Sequence, residues 1–353
     1  MKNWHWLWAT SVLGLFLFSA AVAMQGLSAA HRWKPVTQTA PVAGDADDPA
    51  IWVNPRDPQR SLIIATDKGG ALYVFDFKGR ILQRIEKLQR PNNVDVEYGL
   101  RVGNRSIDIA VATERGAQRL RIYAIENGRL REIGHPERTR VFEGESGDMA
   151  LPMGIALYRR PRDGAIFAIV SRKSGPQEGY LWQYQLVPDS KGRVSLRKVR
   201  SFGKFSGDGE IEAVAVDDEL GYVYYADERF GIRKYHADPD HPNAGKELAV
   251  FGTKGFEGDR EGIAIYPTGK RKGYILCVDQ RPENSVIFVF PREGNSTNPH
   301  AHEPALAVIE TSADETDGVE VTPKSIGALF PQGVLVMMNS KGRNFLLYPW
   351  RNH

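Results

Sequence analysis

The sequence predicts an all-β fold, a six-bladed β-propeller, from three observations. A unit of short apolar strands recurs six times along the chain, and no amphipathic helix is sustained anywhere. The sixth unit stops after its third strand, whereas a spare extended segment, residues 35–42, precedes the first unit. We therefore expect this N-terminal strand to complete the last blade and to close the ring.

Each unit opens with a short apolar strand. In chain order these are PAIWVNP, NNVDVEYGL, LPMGIALYR, IEAVAVDDE, EGIAIYP and DGVEVTP. The second strands are SLIIATDKGG, IDIAVATERG, AIFAIVSRKS, YVYYADERFG, YILCVDQRPE and VLVMMNSKG. The third strands alternate and carry aromatic residues: ALYVFDF, RLRIYAI, YLWQYQL, GIRKYHA, SVIFVFP and NFLLYPW. A fourth run follows in the earlier units, and four strands per unit are typical of a propeller blade.

Composition narrows the class of protein. The 353 residues are 42% hydrophobic and 25% charged, which suits one large globular domain, predicted over residues 31–353. A net charge of +3 gives no footprint for nucleic acid. The single cysteine, Cys277, excludes an internal disulfide and lies in an apolar run, so we expect it to be buried. The histidines are scattered and indicate no zinc site.

The first 30 residues predict a secretory signal peptide. Lys2 gives a positive start, residues 7–18 are apolar, and small residues follow at 21–23 and 28–30. A retained membrane anchor is the alternative, although the apolar run is short for a span. We expect an exported protein, secreted or periplasmic, that is monomeric and has no stable membrane span after the signal is removed.

The repeat collects charges on one face of the ring. Neighbouring strands run antiparallel, so the start of each first strand and the end of each second strand emerge together. The first-strand starts carry Asp47, Asp48, Asp95, Glu210, Glu212, Asp259, Glu261, Asp317 and Glu320. The second-strand ends carry Lys68, Arg115, Arg172, Lys173, Glu228, Arg229 and Arg281. Acids and bases together fit a multiply anionic ligand, such as a phosphate ester, held by metal ions and by Lys and Arg; solvated loop charges are the alternative.

The segment GDADDPAIW, residues 44–52, has the same two explanations: a bound cation or solvated loop charges. Two adjacent aspartates repel each other, and an exposed turn ended by Pro49 would tolerate them. A bound cation would instead convert the repulsion into ligation.

Together with NNVDVEY, TDGVEV and the closing NFLLYPW, this segment resembles the β-propeller phytase family. The resemblance covers residues 39–350. It implies a six-bladed propeller that hydrolyses phytate, the hexakisphosphate of inositol, and that needs several calcium ions for stability and chemistry. It also implies direct attack on phosphorus by a calcium-bound water, without a phospho-enzyme.

The resemblance implies a role for each matching residue. Asp48 and the carbonyls of Pro49 and Val94 would hold a structural calcium between the first two blades. Calcium at the phosphate site would be held by Asp47, Glu212, Asp259 and Glu261, with Asp259 also binding substrate. Asp317 would anchor a further calcium near the channel. The catalytic, phosphate-binding groups would be Lys68, Arg115 and Lys173, with Glu228 beside them.

The chain also departs from the family pattern. The departures are Gly69 for a second lysine, Glu97 for an arginine, Met153 for a calcium-ligating tyrosine, and Asn339 and Lys341 for acids. An acidic residue expected before the first blade is also missing. Two alternatives therefore stay open. One is an exported, non-catalytic binding module with vestigial metal sites. The other is a calcium-dependent propeller hydrolase of another substrate class, such as a lactonase, against which the retained bases argue.

Overall fold

A computed structural model describes residues 31–351, and 25 β-strands in six sheets make up this part of the chain. The predicted signal peptide lies outside the described residues. Helical structure between residues 31 and 351 is limited to three short 3-10 turns, Pro58–Arg60, Arg115–Ala117 and Gly147–Ala150. None of the described segments forms a helix long and apolar enough to cross a lipid bilayer.

The first three sheets follow the chain in simple order. Blade 1 contains β3 (Ala46–Trp52), β4 (Leu62–Asp67), β5 (Ala71–Asp76) and β6 (Ile81–Ile85). Blade 2 contains β7 (Pro91–Val102), β8 (Arg105–Glu114), β9 (Arg119–Glu126) and β10 (Arg129–Glu132). Blade 3 contains β11 (Pro152–Arg159), β12 (Ile166–Arg172), β13 (Glu178–Pro188) and β14 (Val194–Lys204). The strands of each blade pair antiparallel with their neighbours.

The remaining sheets repeat the pattern. Blade 4 contains β15 (Val214–Asp217), β16 (Tyr222–Asp227), β17 (Gly231–His236) and β18 (Ala249–Phe251). Blade 5 contains β19 (Arg260–Gly269), β20 (Lys272–Asp279), β21 (Val286–Pro291) and β22 (Ala307–Glu310). Blade 6 contains β23 (Val319–Thr322), β24 (Val334–Asn339) and β25 (Asn344–Pro349) from the end of the chain. The predicted six-bladed propeller is confirmed.

The ring closes as the sequence predicts. Strand β2 (Thr37–Gln38) is the fourth strand of blade 6 and pairs antiparallel with β25, with Thr37 opposite Leu347 and Gln38 opposite Leu346. A further strand was not predicted. Strand β1 (His31–Arg32) adds to blade 5 as a fifth, parallel strand beside β22. The start of the described chain therefore belongs to two neighbouring blades.

The apolar core is a ring of six clusters, one at each seam between blades. At the seam of blades 2 and 3, for example, Val111 packs in one cluster with Ala168. Each wholly buried aliphatic side chain contributes about 1.5–3 kcal/mol, so adhesion between blades stabilises the ring. Cys277 is buried at the seam of blades 4 and 5, as predicted.

The hairpin register brings first-strand starts next to second-strand ends. Ala46 lies opposite Asp67, Pro91 opposite Glu114, Pro152 opposite Arg172, and Arg260 opposite Asp279. All of these positions lie on one face of the ring, which we call the upper face. The predicted gathering of charged residues therefore follows from the pairing of β-strands.

Candidate functional site

The upper face contains an open cleft of about 370 Å³ whose lining is almost wholly polar. Seven of the predicted site residues line it: Lys68, Lys173, Glu212, Glu228, Asp259, Glu261 and Asp317. They come from blades 1, 3, 4 and 5 and from the loop that enters blade 6. The topology thus brings together residues that are far apart in the sequence.

Carboxylates form two groups in this cleft. Glu210, Glu212 and Glu228 place carboxylate oxygens within 4.8 Å of one another, and so do Glu228, Asp259 and Glu261. Glu228 follows β16 and belongs to both groups, so it lies where a carboxylate could bridge two cations. Hard oxygen donors of this kind are the ligands that calcium prefers. The donor set therefore fits the cation that the sequence resemblance implies.

The pKa values of three of these carboxyls, Glu212, Glu228 and Glu261, are raised. Burial, followed by the charges of Glu210, Glu212 and Asp259, raises the pKa of Glu228 to about 8. Burial is also the first cause of the raised pKa values of Glu212 and Glu261. Like charges held this close need either protons or cations between them. A divalent cation would therefore displace protons when it binds here.

Lys68 lies between two carboxylates. Its Nζ is 2.8 Å from Asp47 Oδ1 and 2.9 Å from Asp317 Oδ2. Asp47 is fully buried, and burial raises the pKa of its carboxyl despite the nearby ammonium group. Burial alone would lower the pKa of Lys68, but Asp47, Asp317 and Glu212 raise it above its usual range. Lys68 is therefore a fixed positive charge at the edge of the cleft.

The surroundings of Asp317 are occupied by donors. Gln280 Nε2 donates to Asp317 Oδ1 at 2.6 Å, and Lys68 takes the second oxygen. Asn339 accepts from the backbone N–H of Asp314 at 3.3 Å, and the Lys341 ammonium lies 3.8 Å from the Asp314 carboxylate. Lys68 and Gln280 therefore occupy both oxygens of Asp317, and Asn339 and Lys341 supply an amide and an ammonium group where the resemblance implies acids. An ammonium group cannot ligate a cation, whereas the amide oxygens of Asn339 and Gln280 can.

Arg115 lies deeper than the cleft. It is 8% exposed and donates to Asn92 Oδ1 and to the Met153 sulfur, while its buried Nε has no hydrogen-bond partner. Burial lowers the pKa of its guanidinium, and Glu212 opposes that effect. Asn92 also donates to Glu212 Oε1 at 2.6 Å. The methionine that replaces an expected tyrosine is therefore in contact with the predicted phosphate-binding arginine.

Lys173 pairs with Glu210 across the seam of blades 3 and 4. Glu210 was noticed among the first-strand acids but was given no role, and the structure makes it a member of a carboxylate group. The sequence signal is the position of Glu210 two residues before Glu212, ahead of the same first strand. Asn92 and Gln280 gave no comparable signal.

The residues predicted for the structural calcium line a separate cavity in the channel. Asp48, Pro49 and Val94 border a space of about 120 Å³ beneath the cleft. The backbone N–H of Val94 donates to Asp48 Oδ2 at 3.0 Å. The three residues are brought together, although part of the Asp48 carboxylate already has a partner.

Two further basic residues of the predicted charged face point elsewhere: Arg172 is buried within blade 3, and Arg281 pairs with Asp279.

Comparison with known proteins identifies the family. The profile of the phytase family matches residues 6–344. The chain belongs to the phytase family. The 3-phytase of Bacillus subtilis (strain 168) is 31% identical over 356 residues, which cover 95% of this chain and 88% of that protein.

Solved structures resemble this phytase-family chain in fold alone. A crystal structure of BBS1N in complex with ARL6DN, soaked with lead, superposes with a TM-score of 0.50 at 8% identity, over 92% of this chain and 98% of the other. The β-propeller domain of Myceliophteria thermophila Cps50 (Swd1) gives 0.48 at 11% identity, over 87% and 84%.

Proposed function

We propose that this phytase-family protein is a calcium-dependent phosphomonoesterase that releases phosphate from phytate. The observation that carries the proposal is the upper cleft, where two carboxylate groups sharing Glu228 face Lys68 and Lys173. Carboxylates alone would suit a cation, and lysines alone would suit an anion. A cleft that contains both suits a cation-bridged phosphate.

The basic residues bind the phosphate oxygens in this proposal. Lys68 and Lys173 are only partly exposed, at 15% and 35% of their side chains, and carboxylates pair with both, so their ammonium groups are fixed at the cleft before an anion binds. Arg115, which the resemblance assigns to phosphate binding, is buried and does not line the cleft, so it would act as a positive charge behind the two lysines. Positive groups fixed before the reaction stabilise the charge that develops on a transferring phosphoryl group.

The acidic residues hold and orient the cations. Glu210, Glu212, Glu228, Asp259 and Glu261 present oxygens from both sides of the cleft, and Asp47 lies beneath it. Calcium bound there would neutralise substrate charge and activate water for an in-line displacement. The pKa of Glu228 is raised by burial to about 8, which also suits this carboxyl to hold or accept a proton.

A lactonase is less well supported, because such a reaction does not require Lys68 and Lys173 in the cleft. A binding module without activity has one observation in its favour. Asp317 already accepts from Lys68 and Gln280, and Met153 stands where the resemblance implies a calcium-ligating tyrosine, so two of the implied metal positions have fewer free oxygen ligands. We further propose that the protein is exported, secreted or periplasmic, and acts as a monomer without nucleic acid.

The deciding experiment is phosphate release from calcium phytate by purified residues 31–353, with and without a calcium chelator. The variant Glu212→Gln/Glu261→Gln keeps the shape of the cleft but removes two carboxylates. A Glu320→Gln variant serves as control, since Glu320 lines the channel rather than the cleft. We expect release that disappears with the chelator and in the double variant only. Binding of phytate without release, at saturating calcium, would instead support the binding module.

A further inference from the structure

One contact recurs in every blade next to the cleft. The last residue of each second strand reaches sideways to the loop that enters the same blade, and we call these six residues the anchors. They are Asp67, Glu114, Arg172, Asp227, Asp279 and Asn339. Each anchor immediately precedes a residue of the upper face, and the upper-face residues are Lys68, Arg115, Lys173, Glu228, Gln280 and Ser340. The function proposed above gives the anchors no role.

A backbone bond accompanies each anchor. The N–H of the residue after the anchor donates to a carbonyl of the entering loop, as Lys68 does to Asp45 at 2.8 Å and Gln280 to Asp259 at 2.9 Å. The same bond joins Arg115 to Arg90, Lys173 to Leu151, Glu228 to Glu210, and Ser340 to Asp314. The position of each second-strand residue is therefore tied to the loop that carries the first-strand acids.

Asp67 shows the contact most fully. Its carboxylate, 1% exposed, accepts from the backbone N–H groups of Gly44 at 3.0 Å, Asp45 at 2.7 Å and Gly69 at 2.8 Å. The first two donors precede Asp47, and the third follows Lys68. A Cβ on Gly44 or Gly69 would lie 2.4 or 2.8 Å from the Asp67 carboxylate, so glycine is required for the approach.

Asp227 and Asp279 repeat the contact in blades 4 and 5. Asp227 accepts from the Ser206 N–H at 2.8 Å and from its hydroxyl at 2.6 Å, in the loop that leads to Glu210. Asp279 accepts from the N–H groups of Glu257 at 3.1 Å and Gly258 at 2.7 Å, just before Asp259. Both carboxylates are fully buried, and arginine side chains from their own blades, Arg233 and Arg281, complete their partners.

The chemistry of the contact explains the choice of residue. Only an ionised carboxylate accepts several N–H donors without offering one of its own, and backbone N–H groups left without a partner in a buried loop are costly. Blade 3 reverses the polarity. There the anchor is Arg172, whose guanidinium donates to the Met149 carbonyl of the entering loop at 3.5 Å and to the carbonyls of Gly179 and Tyr180 in β13. The loops, rather than the residue type, are what the six contacts share.

We propose that Asp67, Asp227 and Asp279 are positioning residues for the cleft. Each fixes a loop that carries cation-binding carboxylates against the residue that follows the anchor, so that both sides of the cleft keep their separation before any ligand binds. This inference rests on the proposed function for its consequence, a preformed calcium site, but its structural content does not depend on phytate.

A merely structural role is the competing explanation, and Asp217 provides a matched control. Asp217 is also buried, at 3% exposure, and accepts from the Leu220 N–H at 3.0 Å and from Arg292 at 2.6 Å. It ends β15, a first strand, and so lies on the opposite face of the ring. Replacement by asparagine removes a buried charge in both places but disturbs the cleft in only one.

The experiment compares Asp67→Asn, Asp227→Asn and Asp217→Asn with the parent protein by calorimetric calcium titration. Amide hydrogen exchange of residues 43–48 and 68–70 is measured without metal. We expect Asp67→Asn to weaken calcium binding by about tenfold or more, as the loss of a group that orients ligands does. Exchange in those two segments should accelerate in Asp67→Asn alone. In Asp217→Asn, calcium affinity should stay within about twofold of the parent, whatever its thermal stability.

Equal calcium affinity and equal exchange in Asp67→Asn and the parent would overturn the proposal. So would a loss of affinity in Asp217→Asn as large as in the two anchor variants, because that outcome follows from general destabilisation. A parent protein that takes up no calcium would contradict the proposed function, and the exchange data would then decide the positioning role alone. If Asp67→Asn does not fold, Asp227→Asn with exchange of residues 204–212 supplies the same test.

Discussion

The two ends of the central channel are both rich in carboxyl groups, but these groups have different partners at each end. At the upper end, Glu212, Glu228 and Glu261 face Lys68 and Lys173 in an open cleft. Further down, Asp95 and Glu320 accept from the backbone N–H groups of Leu157 and Val321 instead.

At the far end of this lower group, the carboxyl groups of Glu97 and Asp218 lie close enough to shift each other's pKa. Burial of this pair favours the protonated carboxyl, whereas the upper carboxylates are arranged with cationic side chains. The difference teaches that acid density alone does not mark a site. The upper end differs from the lower end because fixed positive charges lie beside its carboxylates and because it is open to solvent.

The largest expected effect tests the upper end. Lys68→Met removes the ammonium group between Asp47 and Asp317, which is a proposed donor to the phosphate. We expect the turnover number for phosphate release to fall by about a hundredfold, as for removal of one oxyanion-stabilising donor. Calcium affinity should stay the same or rise, since two carboxylate oxygens are freed. Lys78→Met, at an exposed turn, is the control and should behave as the parent.

Calcium bound at the upper end of the channel should stabilise the folded protein against unfolding. At a hundredfold excess over its dissociation constant, a single bound ion adds about 2.7 kcal/mol to the free energy of unfolding. Denaturant melts with calcium and with a chelator measure this difference directly. Protection of the same size in Glu212→Gln/Glu261→Gln would place the stabilising ion outside the cleft, for example at Asp48 in the channel.

One pair of substitutions compares the contributions of the two ends of the channel to calcium affinity. Glu261→Gln should weaken calcium binding by about tenfold, or 1.4 kcal/mol, because it removes a ligand oxygen from one carboxylate group. Glu320→Gln should change it by less than about twofold, although both side chains line the channel cavity. Equal losses in the two variants, measured by calorimetry, would mean that calcium binds along the whole channel.

The smallest effect concerns the lower end and depends on pH. Burial raises the pKa of Glu97, and burial is also the first cause that raises the pKa of Asp218 to about 6. The charges that bear on the pair are Asp95, Asp217 and Arg159. A carboxyl whose pKa is raised by folding stabilises the protein below its unfolded pKa, near 4, and loses that contribution as pH rises through 6.

The free energy of unfolding should therefore decline between about pH 4 and pH 7 from this pair. Glu97→Gln replaces the titratable carboxyl with a permanent amide donor. We expect it to be more stable than the parent by about 1 kcal/mol at pH 8 and similar at pH 4, measured by urea melts in the presence of a chelator. A parent and variant with parallel pH profiles would show that the two carboxyls titrate independently.

Much of the fold could be predicted because its signals are local. Period-two apolar runs and turn residues define six units, and the missing fourth strand in the last unit points to closure by residues 35–42. Strand β1 could not be predicted, since two residues carry no pattern. The fourth strand of blade 5, β22, was also missed because a long loop separates it from β21.

The sequence predicts which residues lie in the candidate site, but it does not predict which of them form hydrogen bonds with each other. Strand topology alone brings Lys68, Glu212 and Asp259 to one face, whatever their side chains do there. The contacts of Asn92 with Glu212 and of Gln280 with Asp317 depend on packing between blades distant in sequence. Asn92 opens the NNVDVEY segment and Gln280 belongs to no motif, but neither position reveals its partner, so the role of each amide became visible only in three dimensions.

The closure of blade 6 has a consequence for how the molecule is made. Strand β2 lies near the start of the chain and pairs with β25 near its end, so about 300 residues separate the two partners. During synthesis β2 must stay unpaired until β25 emerges, and the seams on either side of blade 6 must wait with it. Contacts of such long sequence separation form slowly. Completion of the ring, and of the Asp317 edge of the cleft, therefore belongs to the last stage of folding.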